Sequence, residues 1–386
     1  MKYLLSIIIP TKNRYNYLRY CIESLSQLDT NLTEIIIQDN SDNNKEFIKF
    51  LELNNFENVK YFYSADNSIS QTENSELALE KATGEYVSYI GDDDSVTHWL
   101  LDVVNWMKNN KSEGVIFSPA SYSWPDLKYR VFKFPNLIIP RIESEFIELN
   151  PKNELHKCLR EGGQLGNLPK IYHGVISKDT LDKVKTKFGK YFPGASPDMA
   201  NAVALSTVIN KYHKLRLPII ISGTSYNSAG GMGARGQHKA QIDTVKQLPK
   251  GINDNWIPEI PKIWTGESIW AHSCLEVLNR LNSNELSRKF NYSKLYARMI
   301  VMHKDCWDYV KPCLKNEKKY LGTSIYVPQL FFRRVLKYLN NYFKVKLKIS
   351  SDTLFNDINN VKDATIIVNE FITNLDIKIF RNEEVQ

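Results

Sequence analysis

The feature that most constrains this chain is a recurrence in its first hundred residues, where short β-rich apolar runs end abruptly in polar residues. The runs are Leu4–Ile9, Glu34–Gln38, Val59–Tyr63 and Tyr86–Ile90. Between the first two, Tyr17, Leu18, Cys21, Ile22, Leu25 and Leu28 recur at helical spacing, and a further helix is predicted over Thr72–Ala82, ended by Gly84. Strands alternating with amphipathic helices read as β-α-β units of a parallel sheet. Ligands of open α/β sheets bind beyond the carboxyl ends of the strands. The segments to inspect are therefore Pro10-Thr11-Lys12-Asn13-Arg14, Asp39-Asn40-Ser41, Ser64-Ala65-Asp66-Asn67 and Gly91-Asp92-Asp93-Asp94.

Beyond residue 115 the pattern turns to short strands and loops, at Gly114–Ser118, Tyr129–Phe134 and Ile171–Ser177. A helix is predicted from Asp198 to Ile209, a strand over Pro218–Ser222, and a small-residue loop from Gly223 to Gly236. Prolines 249, 258 and 261 mark a soft boundary near 255–265, after which the sequence reads mainly helical. The expected organisation is a catalytic domain over 1–260, with halves 1–120 and 121–260, followed by a helical region over 261–386.

Composition narrows the classes. With 42% hydrophobic and 24% charged residues the chain is globular rather than disordered or fibrous. The opening apolar run is too short, and broken too soon by Pro10, to be a signal peptide, so a cytoplasmic protein is expected. Five widely spaced cysteines without a C-x-x-C pair argue against a disulfide framework or zinc site. Residues 301–350 carry eleven Lys/Arg against three Asp/Glu, more than the whole chain's net charge of +7. Within them, Phe331–Lys344 alternates apolar and basic residues at helical spacing. That pattern suits either packing on the catalytic domain or peripheral contact with an anionic membrane; nucleic acid is not expected.

Three adjacent carboxylates, Asp92, Asp93 and Asp94, repel one another unless a cation or solvation offsets the charge. Hard oxygen ligands behind a strand suit Mg2+ or Mn2+ bridging a diphosphate; the competing reading is an acidic turn capping the next helix, Thr97–Lys108. Asp39, Thr11, Asn13 and Arg14 fit either helix capping or a nucleotide site. The Gly230–Gly236 run lacks the Lys-Ser/Thr of a P-loop; with Arg235 and His238 beside it, it reads as a lid over a diphosphate or a plain surface loop. His173 and His213 read as structural. A phospho-receiver is disfavoured, because the first strand ends in Pro10-Thr11 where an acidic pair is needed. A non-catalytic nucleotide- or sugar-binding module of the same fold remains the alternative.

The segments Ser6–Arg14, Ile35–Ser41 and Gly84–Asp94, in this order and at these separations, resemble glycosyltransferase family 2 over about the first 120 residues. The resemblance implies a GT-A fold, with a mixed sheet flanked by helices, and inverting transfer from a nucleotide sugar, UDP first, held by a divalent metal. It implies a glycan or lipid-linked glycan acceptor in bacterial capsule or O-antigen assembly. By position Pro10, Thr11, Asn13, Arg14, Asn67 and Asp92 would line the donor pocket, and Asp39 would face the base. Asp93 would touch donor and metal, and either Asp93 or Asp94 would be the direct ligand, since Gly91 replaces the first acid of the usual motif. Ser196-Pro197-Asp198 resembles the acceptor-side acidic position, with Pro197 in place of the first acid. Asp198 is thus the expected general base, with Glu161 and Asp179 in reserve.

Overall fold

The computed structural model describes residues 3–127, 136–315, 317–347 and 352–375. The expected strand at Tyr129–Phe134 lies outside them. The four initial strands form where the apolar runs are, as β1 Leu5–Thr11, β2 Thr33–Asp39, β3 Val59–Tyr63 and β4 Tyr86–Tyr89. They are joined by α1 Tyr15–Leu25, α2 Lys45–Asn54 and α3 Gln71–Glu80. Helix α3 starts on a capping box in which Ser70 and Glu73 bond reciprocally. Then follow β5 Ser95–Val96, α4 Leu100–Asn109, β6 Gly114–Phe117, β7 Ala120–Ser123, β8 Leu137–Ile139 and β9 Glu143–Leu149. The middle of the chain holds α5 Pro151–Arg160, β10 Gly174–Ser177, α6 Lys178–Phe188, α7 Pro197–Leu205, β11 Tyr212–Arg216, β12 Ile220–Thr224 and α8 Ala229–Ala234. The remaining elements are α9 Gly266–Arg280, α10 Asn284–Arg288, α11 Tyr292–Met302, α12 Trp307–Val310, α13 Glu317–Leu347, β13 Thr353–Phe355 and α14 Val361–Thr373.

The larger sheet has the order β3-β2-β1-β4-β10-β6-β11-β9, and a smaller one runs β13-β8-β7-β12-β5. Strands β1 to β4 are parallel, and β10 enters antiparallel between β4 and β6. This is the expected mixed sheet flanked by helices, with helices predominating at the C-terminal end. Alternation along β1 builds both apolar layers: Ile8 faces one core, while Ile7 and Ile9 face the other, and all three are fully buried.

One expectation is corrected, and the C-terminal residues are placed, by packing. Residues 229–234, read as part of a loop, form the short helix α8, capped by the Ser228 hydroxyl accepting from the Gly231 amide. Described residues after 260 join the two cores of the preceding elements. Leu275 and Leu278 of α9 share a core with Met199 and Val203 of α7. At the far end of the chain Val361, Ala364, Val368 and Ile372 of α14 complete the core containing Leu18 and Leu25 of α1. Thr365 of α14 donates to Ser95 at 2.8 Å, directly behind the Asp triplet.

Candidate active site

The chain leaves β4 at Tyr89 and turns at once through Gly91, so Asp92, Asp93 and Asp94 sit at the carboxyl edge of the sheet. They are buried, at 3%, 4% and 0% exposure. Three carboxylates held this dry need specific partners, and each has different ones. Thr11, at the end of β1, donates to Asp92 Oδ2 at 2.6 Å. The Arg14 Nη2 lies 3.2 Å from Asp92 Oδ1 and 2.7 Å from Asp93 Oδ2. Ser225, just past β12, gives Asp93 Oδ2 both its hydroxyl, at 2.6 Å, and its amide, at 3.2 Å. Asp94 is fully engaged: its Oδ1 accepts from the Gly223 amide at 2.7 Å. Its Oδ2 accepts from the Gly91 amide at 2.7 Å and lies 2.7 Å from His173 Nε2.

The electrostatics follow from those partners. Burial pushes the Asp92 and Asp93 carboxyls up, and the single guanidinium of Arg14 only partly opposes it. Burial works against the Asp94 carboxylate too, but His173 and two backbone amides outweigh it and hold that group below its ordinary value. One cation thus serves two buried carboxylates, while the third carboxylate is already satisfied. Arg14 keeps its Nε buried with no partner, so its hold on the pair is incomplete. Asp92 and Asp93 are consequently the carboxylates that fit a further cation. Asp94 differs from them in that His173 and two backbone amides already offset its charge. Among the described residues no three His, Cys, Asp or Glu side chains converge as a ready-made metal site.

Gly223 shows how closely the second sheet is pressed on the triplet. A Cβ added there would lie 1.8 Å from the carbonyl oxygen of Asp93, which also accepts from Trp124 Nε1 at 3.0 Å. At Gly91 a Cβ would meet carboxylate oxygens of Asp94 and Asp93 at 3.0 and 3.1 Å. A side chain there would crowd the two acids, which accounts for glycine in that place.

Asp198 stands in the first turn of α7, after Pro197 at the first helical position. Burial raises its pKa, opposed by the charges of His173 and Lys170 and reinforced by Asp94. Tyr172 donates to Asp94 Oδ2 at 3.3 Å and meets Tyr89 edge-on at 5.2 Å, and burial, with the charges of both Asp94 and Asp198, pushes these two phenols up. His173, read from sequence as structural, takes a left-handed backbone with φ of 57°, stacks on Tyr172 at 3.9 Å and reaches Asp94. A non-glycine residue at positive φ costs about 1–3 kcal/mol and is found where a side chain must be aimed. The reserves are placed elsewhere: Glu161 is paired with Lys294 and Arg298, and Asp179 is exposed on the first turn of α6.

The other expected donor-site residues divide into groups. Pro10 is half-buried on β1 beside Thr11. Asn13, also left-handed at φ 58°, bonds Asp42 through both its amide nitrogen and its oxygen, and Asn67 donates to the same Asp42 at 2.8 Å. These three form a polar rim outside the triplet. Asp39 is fully buried and accepts from the hydroxyls of Tyr15 and Tyr61, each at 2.6 Å, and from the Ser41 amide at 2.8 Å. Both tyrosines bond Oδ2, so Oδ1, which accepts only from the Ser41 amide, keeps a lone pair for a further donor. Arg235 lies 3.6 Å over the Tyr226 ring and donates to the Tyr226 carbonyl. His238 packs edge-on against Trp264 at 4.1 Å. Neither contacts the triplet here; the loop that does is Gly223–Ser225. No local signal in the sequence marks Ser225, Tyr15 or Tyr61, because each reaches its carboxylate only through tertiary contact. His213 is structural as expected, with Nδ1 2.8 Å from the Ser112 hydroxyl.

Comparison with known proteins finds similarity in the N-terminal part of the chain. Residues 6–161 match the model of Glycosyl transferase family 2. A Campylobacter jejuni GalNAc(5)-diNAcBac-PP-undecaprenol beta-1,3-glucosyltransferase is 30% identical over 115 residues, covering 29% of this chain and 37% of that protein. The uncharacterized glycosyltransferase YibD of Escherichia coli K12 is 39% identical over 105 residues, covering 27% and 30%. The matches thus span little more than a third of these relatives. Among solved structures, Staphylococcus aureus TarS 1–349 superposes with a TM-score of 0.48 at 15% identity, covering 97% of this chain and 92% of that one. The residues around the Asp triplet thus lie within a segment, 6–161, that is similar to glycosyl transferase family 2.

Proposed function

We propose that this chain transfers a sugar from a nucleoside-diphosphate donor, with inversion, to a hydroxyl of a lipid-linked glycan. The process would be assembly of a bacterial surface polysaccharide at the cytoplasmic face of the cell membrane. The observation that carries the proposal is the pairing of two differently perturbed acidic sites around Tyr89 and Tyr172: an undercompensated Asp92–Asp93 pair, and a separate Asp198 whose carboxyl burial pushes up. The Campylobacter relative is named for transfer to a PP-undecaprenol-linked acceptor, which supports the acceptor class.

Inversion requires the acceptor oxygen to attack the anomeric carbon opposite the departing diphosphate. Asp198 takes the acceptor proton as the new C–O bond forms and the bond to the β-phosphate breaks, the electron pair leaving on the nucleoside diphosphate. A raised pKa strengthens the carboxylate as a base at neutral pH. His173 tethers Asp94, and Asp94 in turn ties the β4 turn to Gly223, fixing the acidic pair. Bound Mn2+ or Mg2+ would supply charge neutralisation for the diphosphate, and Asp92 and Asp93 are the residues that would hold it. Arg14, within reach of both carboxylates, is placed to exchange them for a donor phosphate. Thr11 and Pro10 border the same edge.

A panel of nucleotide sugars, UDP-sugars first, assayed with manganese for release of nucleoside diphosphate tests this reading. Release that rises on adding glycan acceptor is expected. Donor binding without release from any member of the panel would favour the non-catalytic module instead.

A further inference from the structure

Helix α13 is 31 residues long, and its two sides differ in what they meet. The inner side packs on α11. A Cβ at Gly322 would come within 2.6 Å of the Ser293 hydroxyl, Thr323 is buried, and the Tyr326 hydroxyl accepts from Asn291. Farther along, Arg334 donates to the carbonyl of Val301. At 3.6 residues per turn these positions share one side of the helix. The opposite side carries Leu321, Ile325, Phe331, Phe332, Leu336 and Tyr338, exposed by 54, 59, 60, 62, 48 and 60%. On a helical projection the apolar residues from Phe331 to Leu339 occupy an arc of roughly 160°, and Arg333, Arg334 and Lys337 fall outside it. From Phe331 to Leu339 the apolar residues therefore form one continuous exposed face, and Arg334, which bonds Val301, lies outside it.

We propose that this outer face of α13 docks on an anionic lipid surface, the apolar and aromatic side chains entering the headgroup region while Arg333, just beyond one edge of that arc, meets lipid phosphates. Charge selects this occupant. The helix holds seven Lys/Arg and one acid, Glu317, so a second copy of the same helix would bring cations against cations. An anionic membrane supplies the complement, and a basic amphipathic helix with phenylalanines on its apolar side is what lies in such an interface. The helix rests on the membrane rather than spanning it, since no helix among the described residues is long and apolar enough to cross one. This deepens the proposed function by naming the segment that meets the membrane. Docking is measured without donor or acceptor, so its failure is separate from failure of transfer.

The test is flotation of the full chain with phosphatidylcholine vesicles, with and without phosphatidylglycerol, at increasing salt. Binding to the anionic vesicles that weakens with salt is expected. At about fivefold per cation near the surface, Arg333→Gln should lower partitioning about fivefold. Phe331→Ser with Phe332→Ser should lower it as well, and circular dichroism checks that both variants keep the parental helix content. Transfer to a water-soluble acceptor should be unchanged in both. Absence of binding to anionic vesicles, or equal binding to neutral ones, overturns the proposal. So does sedimentation showing a dimer that the Phe331/Phe332 variant dissociates while vesicle binding persists, which would assign the face to a second copy.

Discussion

Replacing Gly223 by alanine probes the contact on which the active site's shape depends. The backbone at Gly223 has no positive φ, so alanine costs nothing in conformation there; the cost comes from what the methyl meets. A Cβ would lie 1.8 Å from the Asp93 carbonyl oxygen, 2.6 Å from its carbon and 3.0 Å from Trp124 Nε1. Relaxation to ordinary contact, about 3.5 Å, requires the two backbones to part by more than about 1.5 Å. That movement breaks the bond from the Gly223 amide to Asp94, worth about 1.5–3 kcal/mol for a charged acceptor, and strains the Trp124 bond, worth about 0.5–1.5 kcal/mol. Overpacking adds about 1–3 kcal/mol. The sum, about 3–7 kcal/mol, is a large share of the roughly 5–15 kcal/mol that stabilises a typical fold. Urea denaturation should show the midpoint falling steeply, and donor binding should weaken at temperatures where the variant is still folded. Gly233→Ala is the control: it has ordinary helical backbone in α8 and nothing within 4 Å of its added Cβ, so it should be neutral or gain up to about 1 kcal/mol. A Gly223→Ala midpoint within about 1 kcal/mol of the parent would show that β12 does not press on the triplet, and the geometry argued for Asp93 and Asp94 would fall with it.

Asp198→Asn should lower turnover by about 100- to 10,000-fold, equivalent to roughly 3–5 kcal/mol of barrier, while leaving donor affinity intact; parental turnover would remove Asp198 as the base. The folded Asp198 carboxyl is raised above its unfolded value, so it binds its proton more tightly in the native state, and its contribution to stability is lost as pH rises through the folded pKa. The asparagine variant should therefore be no less stable than the parent at neutral pH by thermal unfolding. Because a base acts when ionised, activity should fall on acidification at a pH above the ordinary Asp value of 3.8, and that acid limb should vanish from the residual activity of the variant. Asp93→Asn should abolish metal-stimulated transfer and weaken manganese binding measured by calorimetry with nucleoside diphosphate present, with the fold retained; full parental activity in excess EDTA would take the metal out of the reaction.

The first four strands and the place of the acids after them were legible because hydrophobic alternation and strand-ending polar residues are local properties, repeated along consecutive residues. The helix at Asp198 was readable for the same reason, from its proline and apolar spacing. The inserted strand β10 was foreseen as a strand, but nothing in its residues specifies that it runs antiparallel between β4 and β6; sheet order is a pairing between distant segments. The helix α8 was hidden by its glycines, whose low helix propensity is offset by the Ser228 cap.

What the sequence determined by itself is the chemistry available: three consecutive carboxylates at a strand end, an arginine just past β1, and an acid at a helix start. What only the tertiary structure decided is how that chemistry is shared out. Asp94 is held by His173 and the amides of Gly91 and Gly223, Asp39 by Tyr15 and Tyr61, and Asp92 with Asp93 shares one guanidinium as its cation. The physical reason is that burial leaves each carboxylate to whichever donors the fold brings within about 3 Å, and those donors come from residues as far as 211 positions away, as Arg14 and Ser225 are from each other. In the same way α14 closes the core behind the triplet from the far end of the chain, because an apolar face is buried wherever a complementary surface remains open and sequence distance does not enter.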